Sequence, residues 1–232
     1  KGLALSLDRP LIPVDHLSAH LYAGEMTAPE LTPPYIGLVV SGGHTLLCVA
    51  HADCRYEVLG ETKDDAVGEA FDKVARLLGL GYPGGPVIDQ LSEEGQAAIQ
   101  FPRSHSKQPF DFSFSGLKTA ILYFLRAEVE KNHEFIDKNK ADLCASIQAT
   151  IVSILLEKLE AAATGLSIRS IAIAGGVAAN SHLRQELIIL SKRQKLNIYF
   201  PDKEFCTDNA AMIAIAGYYK YLNGDFAEQN LT

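Results

Sequence analysis

His16 and His20 stand four residues apart in His16-Leu-Ser-Ala-His20. On a helix this spacing puts both imidazoles on one face, a turn apart, where they can reach a single metal ion. A zinc-peptidase motif with this spacing carries a glutamate after the first histidine to activate water, and Leu17 stands there instead. The pair points to a metal ligand set and away from metal-assisted proteolysis. Taken alone, it describes two helix-surface histidines equally well.

Three glycine-bearing turns each follow an apolar segment: Ser41-Gly42-Gly43, Gly84-Gly85 and Gly175-Gly176. Without side chains, backbone N–H groups can approach a phosphate closely, and positive φ costs glycine little. One such turn merely reverses a chain. Three together, one of them with Ser41, His44 and Thr45 as extra donors, favour a nucleotide site. GxxxxGK[ST] does not occur, which excludes a P-loop. The one GxGxxG match, Gly79 to Gly84, follows a helical pattern and not a strand, unlike a Rossmann dinucleotide site.

Asp72 and Asp89 border the Tyr82-Pro-Gly-Gly-Pro86 turn. They read either as solvated helix carboxylates or as groups holding a ligand's hydroxyls or ammonium beside the glycine loops. Asn180 follows Gly175-Gly176 at a strand-to-helix junction, placed to cap the helix, to read a ribose or acyl group, or both. Asp208, in Cys206-Thr-Asp-Asn209, is a helix N-cap or a carboxylate ligand. Two histidines and one carboxylate would suit iron or zinc and leave positions open for substrate oxygens. Spacing by itself does not pair Asp208 with the histidines.

The elements that must position these residues alternate between strands and helices, which indicates an α/β protein. Leu11 to Val14 reads as a short strand, and Asp15 caps a helix carrying His16 and His20. Ala28 to Pro34 is a linker. Tyr35 to Val40 and Leu46 to Ala50 form a hairpin. A helix is expected over Asp64 to Leu78, ending in a left-handed cap at Gly79 and Gly81. Pro86 opens the helix of Asp89. Phe110, Phe112 and Phe114 alternate as a half-buried strand, with a helix starting near Lys118. Asp142 to Ala163 is a long amphipathic helix. Ile171 to Ala174 is a buried strand feeding a helix from Ser181. Ile198 to Phe200 is a last strand, and Ala210 to Leu222 a final helix.

With 232 residues the chain can bury a sizeable core, as one large domain or two small lobes. No apolar run approaches the roughly 18–20 residues of a membrane span. Cys48, Cys54, Cys144 and Cys206 show no CxxC spacing, so a reduced, cytoplasmic compartment is expected. A formal charge of -7 argues against a self-sufficient nucleic-acid binder, though a local basic patch or a partner could supply one.

Seven segments, in order, resemble the motifs of one family. They are the HxxxH segment, Val39-Val-Ser-Gly-Gly-His-Thr45, Asp65-Ala-Val-Gly-Glu-Ala-Phe-Asp-Lys73, Tyr82-Pro-Gly-Gly-Pro86, Phe112-Ser-Phe-Ser-Gly-Leu-Lys118, Ala174-Gly-Gly-Val-Ala-Ala-Asn180 and Cys206-Thr-Asp-Asn-Ala-Ala-Met212. The chain resembles the bacterial tRNA N6-adenosine threonylcarbamoyltransferases (TsaD/Gcp type), once described as sialoglycoprotein endopeptidases.

The resemblance implies an actin-like ATPase fold of the Hsp70/sugar-kinase type, with two lobes around a nucleotide cleft. It implies transfer of threonylcarbamoyl from threonylcarbamoyl-adenylate to N6 of the adenosine 3′ of the anticodon, in tRNAs reading codons that begin with A. It implies one divalent metal ion, Fe2+ or Zn2+, on His16, His20 and Asp208. Val39, Val40, Ser41, Gly42, Gly43, Asp72, Gly85, Asp89 and Asn180 would line the site for the adenylate or an ATP/ADP-like nucleotide. His44 is a candidate for removing the amine proton. Partners would be tRNA, an inactive paralogue (TsaB type) and a small ATPase (TsaE type), with no membrane.

Family members begin with a further segment bearing an acidic phosphate-loop motif. The chain is therefore expected to divide into a remnant of the N-terminal lobe (1–34), the C-terminal lobe (35–205) and a metal-ligand loop with a returning helix (206–232). Half the cleft would then be missing, leaving this part inactive by itself and exposing apolar surface. A metallopeptidase, or a non-catalytic nucleotide-binding subunit of the tRNA-modifying complex, is the alternative from another class.

Overall fold

The computed structural model describes residues 1–52, 55–103, 106 and 108–228. Cys54 lies outside the described residues. At the centre is β1 (Tyr35–Val40), in a five-stranded sheet of order β3-β2-β1-β4-β5. Its other strands are β2 (Thr45–Ala50), β3 (Tyr56–Glu61), β4 (Ser170–Ala174) and β5 (Asn197–Tyr199). β1 runs antiparallel to β2 and parallel to β4, while β3 pairs antiparallel with β2 and β5 parallel with β4. Every residue of β1 is buried, as its unbroken apolar run requires of a strand covered on both faces. Ile36, Leu38 and Val40 join the main core, and Val39 packs with Leu21 and Cys48 on the opposite face.

The helices are α1 (Gly2–Ser6), α2 (His16–Thr27), α3 (Val67–Leu77), α4 (Gly84–Ser92), α5 (Ser115–Lys131), α6 (Phe135–Lys138), α7 (Lys140–Leu166), α8 (Ser181–Gln194) and α9 (Ala210–Leu222). α7 buries Ile147, Ile151, Leu155 and Leu159, a stripe at i, i+4 spacing that builds the main core. Each of these side chains contributes on the order of 2 kcal/mol by leaving water. α2 packs against α9 through Ala19, Tyr22, Ala23, Met212 and Ala216. The small residues in this set let the two helices approach closely.

Four local expectations are corrected. Leu11 to Val14 forms no strand, only a single bridge from Leu11 to Ala227. The helix expected from Asp64 starts at Val67, because Asp64 accepts bonds from Ser113 Oγ, Phe114 N, Ser115 N and Ser115 Oγ instead. Those bonds take the Phe114 N–H and so end any strand pairing after Phe112, whose own N–H donates to the Glu61 carbonyl. Only a Thr62–Phe112 bridge forms there, with Phe112 and Phe114 fully buried and stacked. Finally, the helix of Asp89 begins at Gly84, not Pro86, since Asp72 Oδ1 takes the Gly84 N–H at 2.7 Å.

Other expectations match within a few residues. The helix expected near Lys118 starts at Ser115, and the long helix expected over Asp142 to Ala163 spans Lys140–Leu166. Gly79 adopts the left-handed conformation (φ +68°) that ends the helix, whereas Gly81 does not. The described cysteines Cys48, Cys144 and Cys206 are buried and free. Burial pushes the Cys48 thiol up to about 12. Among the described residues no helix is long and apolar enough to cross a membrane.

Candidate functional site

α2 starts where the sequence caps it. Asp15 accepts the Ser18 N–H at 2.8 Å, which satisfies a free donor of the first turn and fixes where His16 and His20 project. Asp208 lies just before α9, whose N-cap is Asn209, accepting from Met212 N at 2.9 Å. Asp208 is therefore not the cap. Its carboxylate faces the histidines instead, with Oδ1 3.1 Å from His20 Nε2 and 3.3 Å from His16 Nε2.

The three ligand atoms lie within 4.8 Å of one another. The two nitrogen–oxygen separations are those that neighbouring ligands take around one ion held at about 2.0–2.1 Å. His20 is buried, and its Nδ1 has no hydrogen-bond partner. Burial, reinforced by His16 and opposed by Asp208, holds the His20 pKa below its ordinary value. A neutral imidazole is the form that ligates metals, so this donor set fits a divalent ion. Leu17, in the place of the peptidase glutamate, packs with Leu21 and Val39 against the sheet, leaving no carboxylate at that position to activate water.

A cavity of about 380 Å³ opens beside this cluster. Gly42, Asp72, Gly85, Asp89 and Asn180 line it as the sequence suggested. Gly176, from the third glycine turn, lines it too, as do Gly68, Phe71, Tyr82, Val177 and Thr207, which were not singled out as ligand contacts. The available signal for Tyr82 was an aromatic residue opening a Pro/Gly turn, and in the structure it is 85% exposed. Val39 and Val40 are fully buried in β1 and present no surface to a ligand, so their part is to deliver the Ser41-Gly42-Gly43 turn. Ser41 holds that turn closed, its Oγ accepting from His44 N at 3.0 Å and its N–H donating to His44 O at 2.9 Å. Gly43 and His44 are exposed outside the cavity lining.

The acidic and amide side chains of the cavity are tied to the fold. Asp72 spends one oxygen on Gly84 N. Asp89 accepts from Ser181 N at 2.9 Å and from Ser181 Oγ at 2.8 Å, which caps α8 from another helix. Asn180, itself the N-cap of α8, accepts from Leu183 N at 2.9 Å. Each of these residues holds a helix end while bordering the cavity, so Asp72 and Asp89 are more than solvated carboxylates.

A family profile described as TsaD, tRNA N6-adenosine threonylcarbamoyltransferase, matches residues 1–215. The chain belongs to this family. Two curated relatives carry the same description. One, from Thermosipho africanus (strain TCF52B), is 51% identical over 100% of this chain and 69% of its own length. The other, from Porphyromonas gingivalis, is 47% identical over 97% of this chain and 68% of its own. The reaction of the family is transfer of a threonylcarbamoyl group to N6 of a tRNA adenosine.

Solved structures share this α/β fold at low identity. Full-length HypF in its phosphate- and nucleotide-bound form superposes with a TM-score of 0.72 at 17% identity, over 97% of this chain and 38% of that one. The activator of 2-hydroxyisocaproyl-CoA dehydratase from Clostridium difficile, with bound ADPNP, gives 0.54 at 14% identity, over 94% of this chain and 71% of that one.

Proposed function

We propose that the cavity takes the nucleotide part of threonylcarbamoyl-adenylate and that His16, His20 and Asp208 hold a divalent ion, Fe2+ or Zn2+, beside the reacting carbonyl. The observation that carries this reading is an adjacency. Thr207 lines the cavity, and Asp208, the next residue, is the shared partner of both histidines. Consecutive Cα atoms are about 3.8 Å apart, which supports reading the two sites as serving one small molecule.

The adenylate is a mixed anhydride and already activated. The N6 amine of the tRNA adenosine attacks the carbamoyl carbon. An N–C bond forms, the C–O bond to phosphate breaks, AMP leaves and the amine loses a proton. A divalent ion supplies Lewis-acid stabilisation of charge on the carbonyl or phosphate oxygen. The Gly42 and Gly176 loops bring backbone close to the phosphate, and Asp72, Asp89 and Asn180 orient the rest of the nucleotide. His44, an exposed imidazole at the end of the Ser41-Gly42-Gly43 turn, is the candidate acceptor for the amine proton.

In this reading residues 35–205 form the C-terminal lobe, with 1–34 and 206–232 belonging to the other lobe, and the pairing of α2 with α9 supports that division. The adenosine is the one 3′ of the anticodon in tRNAs reading codons that begin with A. An inactive paralogue and a small ATPase assist, and the compartment is the cytoplasm. The test is mass spectrometry of nucleosides from bulk tRNA in cells depleted of the protein and rescued with the full-length gene or its Asp208→Ala form. Threonylcarbamoyladenosine should vanish on depletion and return only with the unmutated gene. Persistence through depletion would sink the activity, and rescue by Asp208→Ala would sink the metal site.

A further inference from the structure

Gln148 is a polar side chain in the middle of α7, the long helix that builds the main core. It sits on α7, 2% exposed, between Ile147 and the buried stripe that follows. A buried amide this deep must find partners for its oxygen and its NH2 group. It finds them in one directed chain. Asn180 Nδ2 donates to Gln148 Oε1 at 2.8 Å, and Gln148 Nε2 donates to Ser92 Oγ at 2.7 Å. Ser92 Oγ in turn donates to the Asp89 carbonyl oxygen at 2.7 Å. The chain closes on itself, because the Asp89 carboxylate accepts from Ser181, the residue after Asn180.

The three donors from Asn180 through Gln148 and Ser92 point the same way along the path to Asp89, which lets those bonds polarise and strengthen one another, while Ser181 donates to Asp89 from the other side. The consequence falls on Asn180. An asparagine amide offers two hydrogens and two acceptor positions, and turning it end for end exchanges them. With its oxygen on Leu183 N and one Nδ2 hydrogen on Gln148 Oε1, a reversed amide would set donor against donor at one end and acceptor against acceptor at the other. The second Nδ2 hydrogen and the remaining oxygen lone pair are what Asn180 has left for a ligand.

We propose that Gln148, which does not line the cavity, is a positioning residue for nucleotide binding, acting through Asn180 and, by way of Ser92, on the helix that carries Asp89. This rests on the reading of the cavity as the adenylate site. Gln148 selects the orientation in which Asn180 faces the nucleotide and ties the end of α4 to the start of α8 across the cavity wall.

The test is equilibrium binding of ADP to the full-length protein, by calorimetry, for Asn180→Ala, Gln148→Leu and the double variant, with thermal unfolding alongside. Asn180→Ala should weaken ADP binding about tenfold and Gln148→Leu about fivefold, as loss of one well-placed hydrogen bond would. The double variant should bind no more weakly than Asn180→Ala, within about twofold, because Gln148 has nothing left to orient. A purely structural Gln148 would instead give multiplying losses, and that result overturns the proposal, as does unaltered binding in Gln148→Leu. Where Gln148→Leu does not fold, Ser92→Ala replaces it. It should weaken binding about twofold alone and add nothing in the Asn180→Ala background. If Asn180→Ala itself leaves ADP binding unchanged, the cavity reading falls and the positioning role falls with it.

Discussion

The histidine–aspartate cluster and the glycine-lined cavity treat their polar groups in opposite ways. In the first, side chains face one another, and the buried His20 keeps a ring nitrogen without a partner. In the second, Asp72, Asp89 and Asn180 each satisfy a backbone N–H at a helix start. The cluster's polar side chains answer one another across α2 and the loop before α9, while those of the cavity are committed to bracing helix starts. A change in the cluster should strike chemistry and spare the fold. A change in the cavity should strike both.

The largest effect sharpens that contrast. Asp208→Ala removes the oxygen shared by both histidines without touching a cap, so transfer activity of the full-length enzyme should fall by about a hundredfold or more. Bound Fe or Zn, counted by elemental analysis, should fall with it while the melting temperature stays nearly constant. A large drop in melting temperature would break the comparison.

Gly84→Ala tests the other side. A Cβ there would sit 2.4 Å from Ala75 Cβ and 3.0 Å from the Phe71 carbonyl, where α3 and α4 touch. Denaturant unfolding should show a loss of about 2 kcal/mol, and nucleotide affinity should decline as the cavity wall shifts. Asp89→Ala is milder. It strips the cap from Ser181 and should lower stability by about 1–1.5 kcal/mol, with a parallel rise in KM for the donor.

The smallest effect concerns pH. Burial, then His16, depresses the His20 pKa in the folded chain, so the unfolded chain takes up the proton first as pH falls. This contribution is complete above about pH 6.5 and is lost below it, down toward the folded value. Melting temperature measured from pH 7.5 to 5 should decline more steeply for the wild type than for His20→Gln.

How much of this was legible in the chain depended on the range of the interactions. β1 and α9 were placed to the residue, because an unbroken apolar run and an Asn–Gly stop are local signals. β3 escaped notice: it is largely exposed, with only Gly60 buried, and carries Glu57, Glu61 and that glycine. The Gly60 position is dictated by the Phe110 carbonyl lying against it, a neighbour fifty residues away that no local pattern announces. The late start of α3 has the same origin, since Asp64 is claimed by Ser113 to Ser115. HxxxH was visible at once, whereas its third member came only through resemblance. The contact between Asp208 and His20 spans 188 positions and leaves no spacing to read.

Gly175 holds a final consequence. A Cβ on it would lie 2.4 Å from the Val40 carbonyl oxygen, at a φ of +89°. Val40 and Gly175 close the adjacent parallel strands β1 and β4, and each strand ends in one of the loops that face the cavity. The gap between those loops is therefore set by the absence of a single methyl group. Neither loop can drift alone over evolutionary time, and any lineage that re-spaces them must remodel the sheet beneath.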